Sequence, residues 1–197
     1  MGRRCLQTTL ALGLSLGFGM GIKSAVADES RFPQLPAPPP GYTWRTFTSI
    51  HMAMLVPDGW FVKEEEREGI QGVFISKDSI EQVGRFRTGL TLNVSHDPQP
   101  GLPPSETAMH IMEQFRQRSE RAWDVEPYWI GPFRGGQGFF TLSTPEGWKL
   151  TERVMALGND ATGTFYLAIF ESPEAEWEQA KEIGELLLTH LGMDGKF

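Results

Sequence analysis

The histidines of this chain are His51, His96, His110 and His190, and no two lie three or four residues apart, the spacing by which one element offers two ligands to zinc. His96 stands beside Asp97, an imidazole next to a carboxylate where an alternating segment runs into a proline loop. Such a pair could hold a metal ion or act as a base, but a polar strand end is the first expectation and the metal or base site the second. Glu64, Glu65, Glu66 and Glu68 supply the carboxylate oxygens that hard cations take. They lack the alternating acids and central glycine of a calcium loop. A solvated, charged hairpin tip closed by Gly69 is therefore the first expectation, and a site for calcium or another divalent cation the second. Arg134-Gly135-Gly136-Gln137-Gly138 resembles a phosphate cradle in glycine content alone, with no lysine following and no strand-to-helix context, so it reads as a turn or bulge. Six tryptophans could line a cleft; Trp123, Trp129 and Trp148 lie next to loop signals and are the candidates for partner binding.

The first 27 residues decide which chemistry is left. Arg3 and Arg4, an apolar run from Leu10 to Ile22, and Ala25-Val26-Ala27 before Asp28 have the three parts of a secretory signal peptide. The run is short and broken by glycine, which makes a poor membrane span. Cys5 is the one cysteine of the chain and falls within this leader, before the apolar run, not at the cleavage point where a lipoprotein carries it. The mature chain is thus expected to lack disulfides, thiolate chemistry and a lipid anchor. Past residue 27 there is also no G-x-S-x-G elbow and no S-x-x-K motif. The leader takes Arg3, Arg4 and Lys23 with it, leaving 15 basic residues against 25 acidic ones, about −10 with neutral histidines. Such a charge repels nucleic acid and anionic lipid and suits cations or basic partners. The Arg3-Arg4 pair also allows twin-arginine export.

The elements that position these residues follow from local pattern. Residues 28–41 hold five prolines and read as an extended tether, with a single domain expected over residues 42–194. Tyr42–Phe47 and Ile50–Val56 read as strands, followed by a turn at Pro57-Asp58-Gly59, then strands at Trp60–Lys63 and Ile70–Ser76. Leu90, Leu92 and Val94 alternate with Thr91, Asn93 and Ser95, as in a strand with one wet face. Ser105 is placed to cap an amphipathic helix with a stripe of Met109, Met112 and Phe115, widened by Ala108 and Ile111. Strands are expected at Val125–Ile130, Gly138–Ser143, Trp148–Leu157 and Gly163–Phe170, with Gly135-Gly136 and Pro145-Glu146-Gly147 as turns. Phe165, Leu167 and Ile169 alternate with Tyr166, Ala168 and Phe170, apolar on both faces, which predicts a central strand. Ser172 and Pro173 then open a helix with the stripe Trp177, Ala180, Gly184, Leu187, Leu188 and Leu191, which Gly192 ends.

In their order these pieces resemble the PsbP-like family and its Ran-binding and DcrB-like relatives. VPDGW at Val56–Trp60, LTLNV at Leu90–Val94 and the closing block FYLAIFESPEAEWEQAKEIGELLLTHL carry the likeness. The resemblance implies an α+β fold, a PsbP-like α/β/α sandwich whose central antiparallel sheet is flanked by helices, and a non-enzymatic accessory role. Members of the family attach to photosystem II on the lumenal side and help retain its inorganic cofactors; similar domains bind a small GTPase. Cyanobacterial members usually have a lipid-anchoring cysteine, which this chain lacks at the cleavage point, and no metal or partner residue carries over by position. The expectation is an exported accessory domain, periplasmic or extracytoplasmic (thylakoid lumen in a photosynthetic source), that docks on a protein complex and needs no cofactor. A cation- or small-ligand-binding periplasmic module is the alternative. A hydrolase with a dispersed site is disfavoured by the missing motifs.

Overall fold

The structure is a computed structural model that describes residues 35–83, 87–144 and 147–197. The signal sequence, residues 28–34 of the proline tract, and Pro145 and Glu146 of the expected turn lie outside the described residues. The strands are β1 (Tyr42–Phe47), β2 (Met52–Pro57), β3 (Phe61–Arg67), β4 (Ile70–Ser76), β5 (Gly89–His96), β6 (Arg121–Ile130), β7 (Phe133–Ser143), β8 (Lys149–Asn159), β9 (Thr164–Pro173) and β10 (Leu191–Met193). The helices are α1 (Ile80–Val83), α2 (Pro104–Arg118) and α3 (Trp177–Thr189).

Seven strands form one antiparallel sheet in the order β3-β4-β5-β9-β8-β7-β6, and β1-β2-β10 form a second, smaller one. Two meanders meet in the large sheet. β3-β4-β5 runs from one edge inward, α2 carries the chain to the far edge, and β6-β7-β8-β9 returns to pair with β5. β9 is therefore the middle strand, as its two apolar faces predict. On one side α2 packs Ala108, Met112 and Phe115 onto Phe140, Val154, Ala156 and Phe165. On the other, α3 and the small sheet enclose the larger core, which includes Met54, Leu55, Ile75, Leu92, Tyr166, Phe170 and Leu187. The result is the α+β sandwich expected, with a three-stranded sheet sharing a layer with α3.

Several local readings are corrected. Glu64–Arg67 are not a hairpin tip: β3 continues through them, and the turn is made by Glu68 and Gly69, both at positive φ. Gly135 and Gly136 lie inside β7, where a Cβ on Gly135 would come within 2.9 Å of Ala108 Cβ; the turn is made by Gly131 and Pro132 one step earlier. Helix α2 starts at Pro104, and Ser105 is not its cap. Ser105 lies in the first turn and donates from its backbone N and Oγ to the Asp160 carboxylate, at 2.8 and 2.7 Å. The cap thus comes from the β8–β9 turn, placing negative charge at the positive end of the helix. Met109 is 46% exposed, because it lies about 100° round the helix from Ala108, off the packed stripe. Ser172 and Pro173 end β9 instead of opening a helix; Ser172 Oγ is buried 3.2 Å from Thr88 Oγ1, and a 3-10 turn at Glu174–Glu176 precedes α3. Leu191 and Gly192 belong to β10, paired with Met54 and Ala53, so α3 ends at Thr189.

Helix α3 lies close on the sheet because residue 184 is glycine. A Cβ there would stand 2.3 Å from Phe170 Cδ1 on β9. Pinned over the middle of the sheet, α3 leaves the same face of β6 and β7 open at their Trp123 and Phe139 end, while the Tyr128, Ile130 and Phe133 end packs into the larger core.

Candidate functional site

That uncovered strip is a groove of about 570 Å³ between α3 and strands β6–β8. Its floor is aromatic. Trp123 stands opposite Phe139 in the β6–β7 register, so the alternation of the two strands turns both rings to the α3 side. They stack with centroids 5.4 Å apart and planes 11° from parallel, and Trp177 of α3 meets Phe139 edge-on at 6.1 Å. Both geometries suit the ring quadrupole.

One wall is the outer face of α3. Glu178, Glu182 and Glu185 of α3 share that face, and Glu174, in the 3-10 turn before the helix, extends it at the same four-residue interval. Lys181 pairs with Glu178. Arg153, almost buried in the floor, donates to Glu185 and to Gln137 Oε1, and its guanidinium carbon lies 5.6 Å over Phe139. Burial holds the Arg153 guanidinium below its ordinary range, offset in part by Tyr128. At the opposite rim Arg121 stands over Trp123, 4.8 Å from the ring centre. Below the groove Lys149 contacts Glu120 at 2.9 Å, and Glu120 also accepts from Ser143 Oγ. The Ser143 hydrogen bond first, then Lys149, keep the Glu120 carboxyl below its usual range. Lys149 is raised in turn by Glu120 and, more weakly, by Glu174. Five carboxylates line the groove against two cations, and it has no histidine, cysteine or serine in its lining. It can hold an extended, positively charged, partly planar group; it has no nucleophile paired with a base.

The residues singled out by sequence are distributed elsewhere, with one exception. Trp123 is in the floor. Trp129, on the same strand, is 65% exposed on the opposite face, because a bulge between Trp123 and Glu126 shifts the alternation by one residue. Trp129 borders a shallow apolar hollow with Met109 and Pro127. Trp148 is half exposed, with the Arg87 guanidinium 5.1 Å over its ring. Glu64, Glu65 and Glu66 alternate along β3, so Glu65 faces away from its two neighbours. Glu64 accepts from Ser49 Oγ at 3.0 Å and lies 3.8 Å from Arg45, Glu65 pairs with Lys63 at 2.7 Å, and Glu68 lies 3.9 Å from Arg67. His96 ends β5 with Nδ1 3.2 Å from Thr164 Oγ1, and Asp97 follows at positive φ. No group of three or more histidine, cysteine, aspartate or glutamate side chains gathers as a metal cage among the described residues.

Sequence spacing gave no hint that His51 and His96 meet at Phe197. The Phe197 ring stacks on His51 at 3.9 Å and takes His96 edge-on at 4.8 Å, while Asp194 lies 3.6 Å from His51. The tail is held further by Asn159 Nδ2, which donates to the Gly195 carbonyl at 3.1 Å. Of the groove residues, Arg121, Phe139 and Trp177 were not recognisable as a set, since they come from two strands and a helix. The Glu174-Glu178-Glu182 stripe was the one signal in the sequence that could have marked the wall.

The arrangement of layers can be compared with known structures. The cyanobacterial PsbP of Synechocystis sp. PCC 6803 superposes with a TM-score of 0.50 over 80% of this chain and 95% of its own, at 13% identity. The fold is that of PsbP. The Ran-binding protein Mog1p of Saccharomyces cerevisiae aligns with a TM-score of 0.48 over 77% of this chain and 95% of its own, at 9% identity. LpqN of Mycobacterium tuberculosis, described as involved in cell envelope biogenesis, aligns at 0.46 over 77% and 89%, also at 9% identity. No family model matches the sequence, and no curated protein sequence matches it. The likeness to PsbP is one of fold, and function must be argued from the site. No helix among the described residues is long and apolar enough to cross a membrane.

Proposed function

We propose that this protein is a non-catalytic accessory domain, exported from the cytoplasm, that docks on a protein partner through the groove between α3 and β6–β8. The observation that carries the reading is the floor: a Trp123–Phe139 stack open to solvent, held in shape by Trp177 and Arg153 from below and beside it. Rigid aromatic surface next to fixed charge is what protein interfaces concentrate at their centres. The lining supports binding over turnover, since its threonines, Thr141 and Thr151, have no histidine beside them in the groove. Export rests on the leader at residues 1–27, and the acidic mature chain fits a compartment in which the partner presents basic surface.

Site-specific photocrosslinking in the source cell tests this. A photoreactive phenylalanine analogue at Thr141 or Lys181, in the groove, should yield one reproducible adduct in the extracytoplasmic fraction, while the same analogue at Lys63, on the opposite face of the sheet, should not. Equal labelling from all three positions, or none from the groove, refutes groove docking. Export is tested separately by the mass of the mature chain, which should begin at Asp28; an intact Met1 refutes it.

A further inference from the structure

The groove states what its occupant should look like. Resting on the docking reading above, we infer that the groove binds a basic segment of the partner by seating an arginine side chain against Trp123, with the guanidinium facing the acidic wall of α3.

Three observations carry this. The first is charge. Glu178 and Glu185 already have cationic partners in Lys181 and Arg153, whereas Asp124, Glu174 and Glu182 make no ion pair among the described residues. Although Lys149 weakly offsets Glu174 and Arg121 stands at the Asp124 rim, the groove keeps a net negative charge around an aromatic floor, an arrangement that attracts cations and repels acidic segments.

The second is that the floor already holds guanidinium groups. Arg153 lies over Phe139 from within the sheet, at 5.6 Å, and Arg121 lies over Trp123 from the rim, at 4.8 Å. These are cation–π distances, and a tryptophan face offers the most favourable ring. Arg121 is exposed and makes no ion pair among the described residues, so an incoming arginine can displace it or share the ring edge without breaking a salt bridge. Arg121 thereby marks the seat that a partner's arginine would take.

The third is shape. The groove is open along its length and bounded by β6, an edge strand of the sheet. The bulge at Asp124 and Val125 and the proline at 127 spoil the β6 edge as a template for regular strand pairing. An extended segment is therefore held by its side chains over the floor and not by continuous backbone pairing. A planar, weakly hydrated guanidinium suits a stacked seat flanked by carboxylates better than the compact, strongly hydrated ammonium of lysine.

The test uses the protein as purified from its host and three blocked hexapeptides, alternating alanine with arginine, lysine or glutamate. The indole N–H resonance of Trp123, assigned with Trp123→Phe, reports occupancy, and calorimetry reports affinity. The arginine peptide should shift that resonance and bind at least about threefold more tightly than the lysine peptide, while the glutamate peptide does neither. The double substitution Glu174→Gln, Glu182→Gln should weaken arginine-peptide binding about tenfold, as should raising the salt to about 0.5 M, where the Debye length falls to about 4 Å. Folding of that variant is checked by an unchanged spectrum for core residues such as Tyr166. Equal affinity for arginine and lysine peptides, a shift caused by the glutamate peptide, or affinity unchanged by the double substitution overturns the inference. Groove crosslinks to a partner that persist when arginine peptide neither binds nor competes would leave docking standing and refute only the arginine seat. Arginine-peptide binding without any groove crosslink would refute docking alone.

Discussion

Replacing Gly184 with alanine tests the packing that leaves the groove open. An added Cβ would meet Phe170 at 2.3 Å from Cδ1, 2.7 Å from Cε1 and 2.8 Å from Cγ. Carbon atoms rest at roughly 3.5–4.0 Å, so helix or ring must give by more than about an ångström. The ring has little room: Phe170 is fully buried on the central strand, with Trp177 6.1 Å away on one side. Overpacking of this kind costs about 1–3 kcal/mol. Alanine in place of glycine inside a helix returns about 1 kcal/mol. The net loss expected in the wild-type background is then about 0–2 kcal/mol. In a Phe170→Ala background the clash is gone, and the same change should stabilise by about 1–2 kcal/mol, from helix propensity plus a buried methyl group. The double-mutant cycle, measured by urea unfolding, should show a coupling of about 2–3 kcal/mol. Additivity within about 0.5 kcal/mol would refute the claim that residue 184 sets the approach of α3.

Two further outcomes follow from the geometry. Tyr166 is buried under the small sheet, donating to the Ile50 carbonyl at 3.3 Å, and burial, with Asp194 adding to it, raises its phenol well above the ordinary value of 10.0. Unfolding frees the phenol to ionise, so stability is intact below pH 10 and falls above it, at up to about 1.4 kcal/mol per pH unit from this group. Tyr166→Phe should flatten that fall in denaturant titrations between pH 10 and 11, and an unchanged slope would refute it. Asp160→Ala removes both hydrogen bonds to Ser105 and should cost about 1 kcal/mol, with faster amide exchange in the first turn of α2. Unaltered exchange there would show that the cap does not hold the helix end.

The order of the elements was legible because most of them are built from local pattern. The two-faced run at Phe165–Phe170 could be only a central strand, and the stripe from Trp177 to Leu188 could be only a packed helix. Errors fell where the reason for a residue lies in a distant neighbour. Glycines 135 and 136 look like a turn along the chain, but they are small because α2 crosses over them. Ser105 looks like a cap until Asp160 is seen to be the capping group. Trp123 and Trp129 look equivalent in β6, and only the bulge between them sends one to the groove and the other to the far face. The groove itself was unreadable for the same reason. Its floor is assembled across strands and its wall comes from α3, so of its parts only the acidic spacing at 174, 178 and 182 was visible in one segment.

The capping of α2 by Asp160 also ties the helix to a segment made much later in the chain. The carboxylate lies 55 residues beyond the serine it serves, in the turn between β8 and β9. Synthesis proceeds from the N-terminus, so α2 emerges well before its cap, and a lone helix of that length is marginal in water. Gly158, beside that turn, must receive the first turn of α2 against its own backbone, 2.1 Å from where its Cβ would stand to the Pro104 carbonyl carbon. Helix end and hairpin therefore complete one another, since neither has its full set of contacts without the other. Until the β8–β9 hairpin has closed, the chain remains open at the centre of its large sheet, with β5 still waiting for its partner.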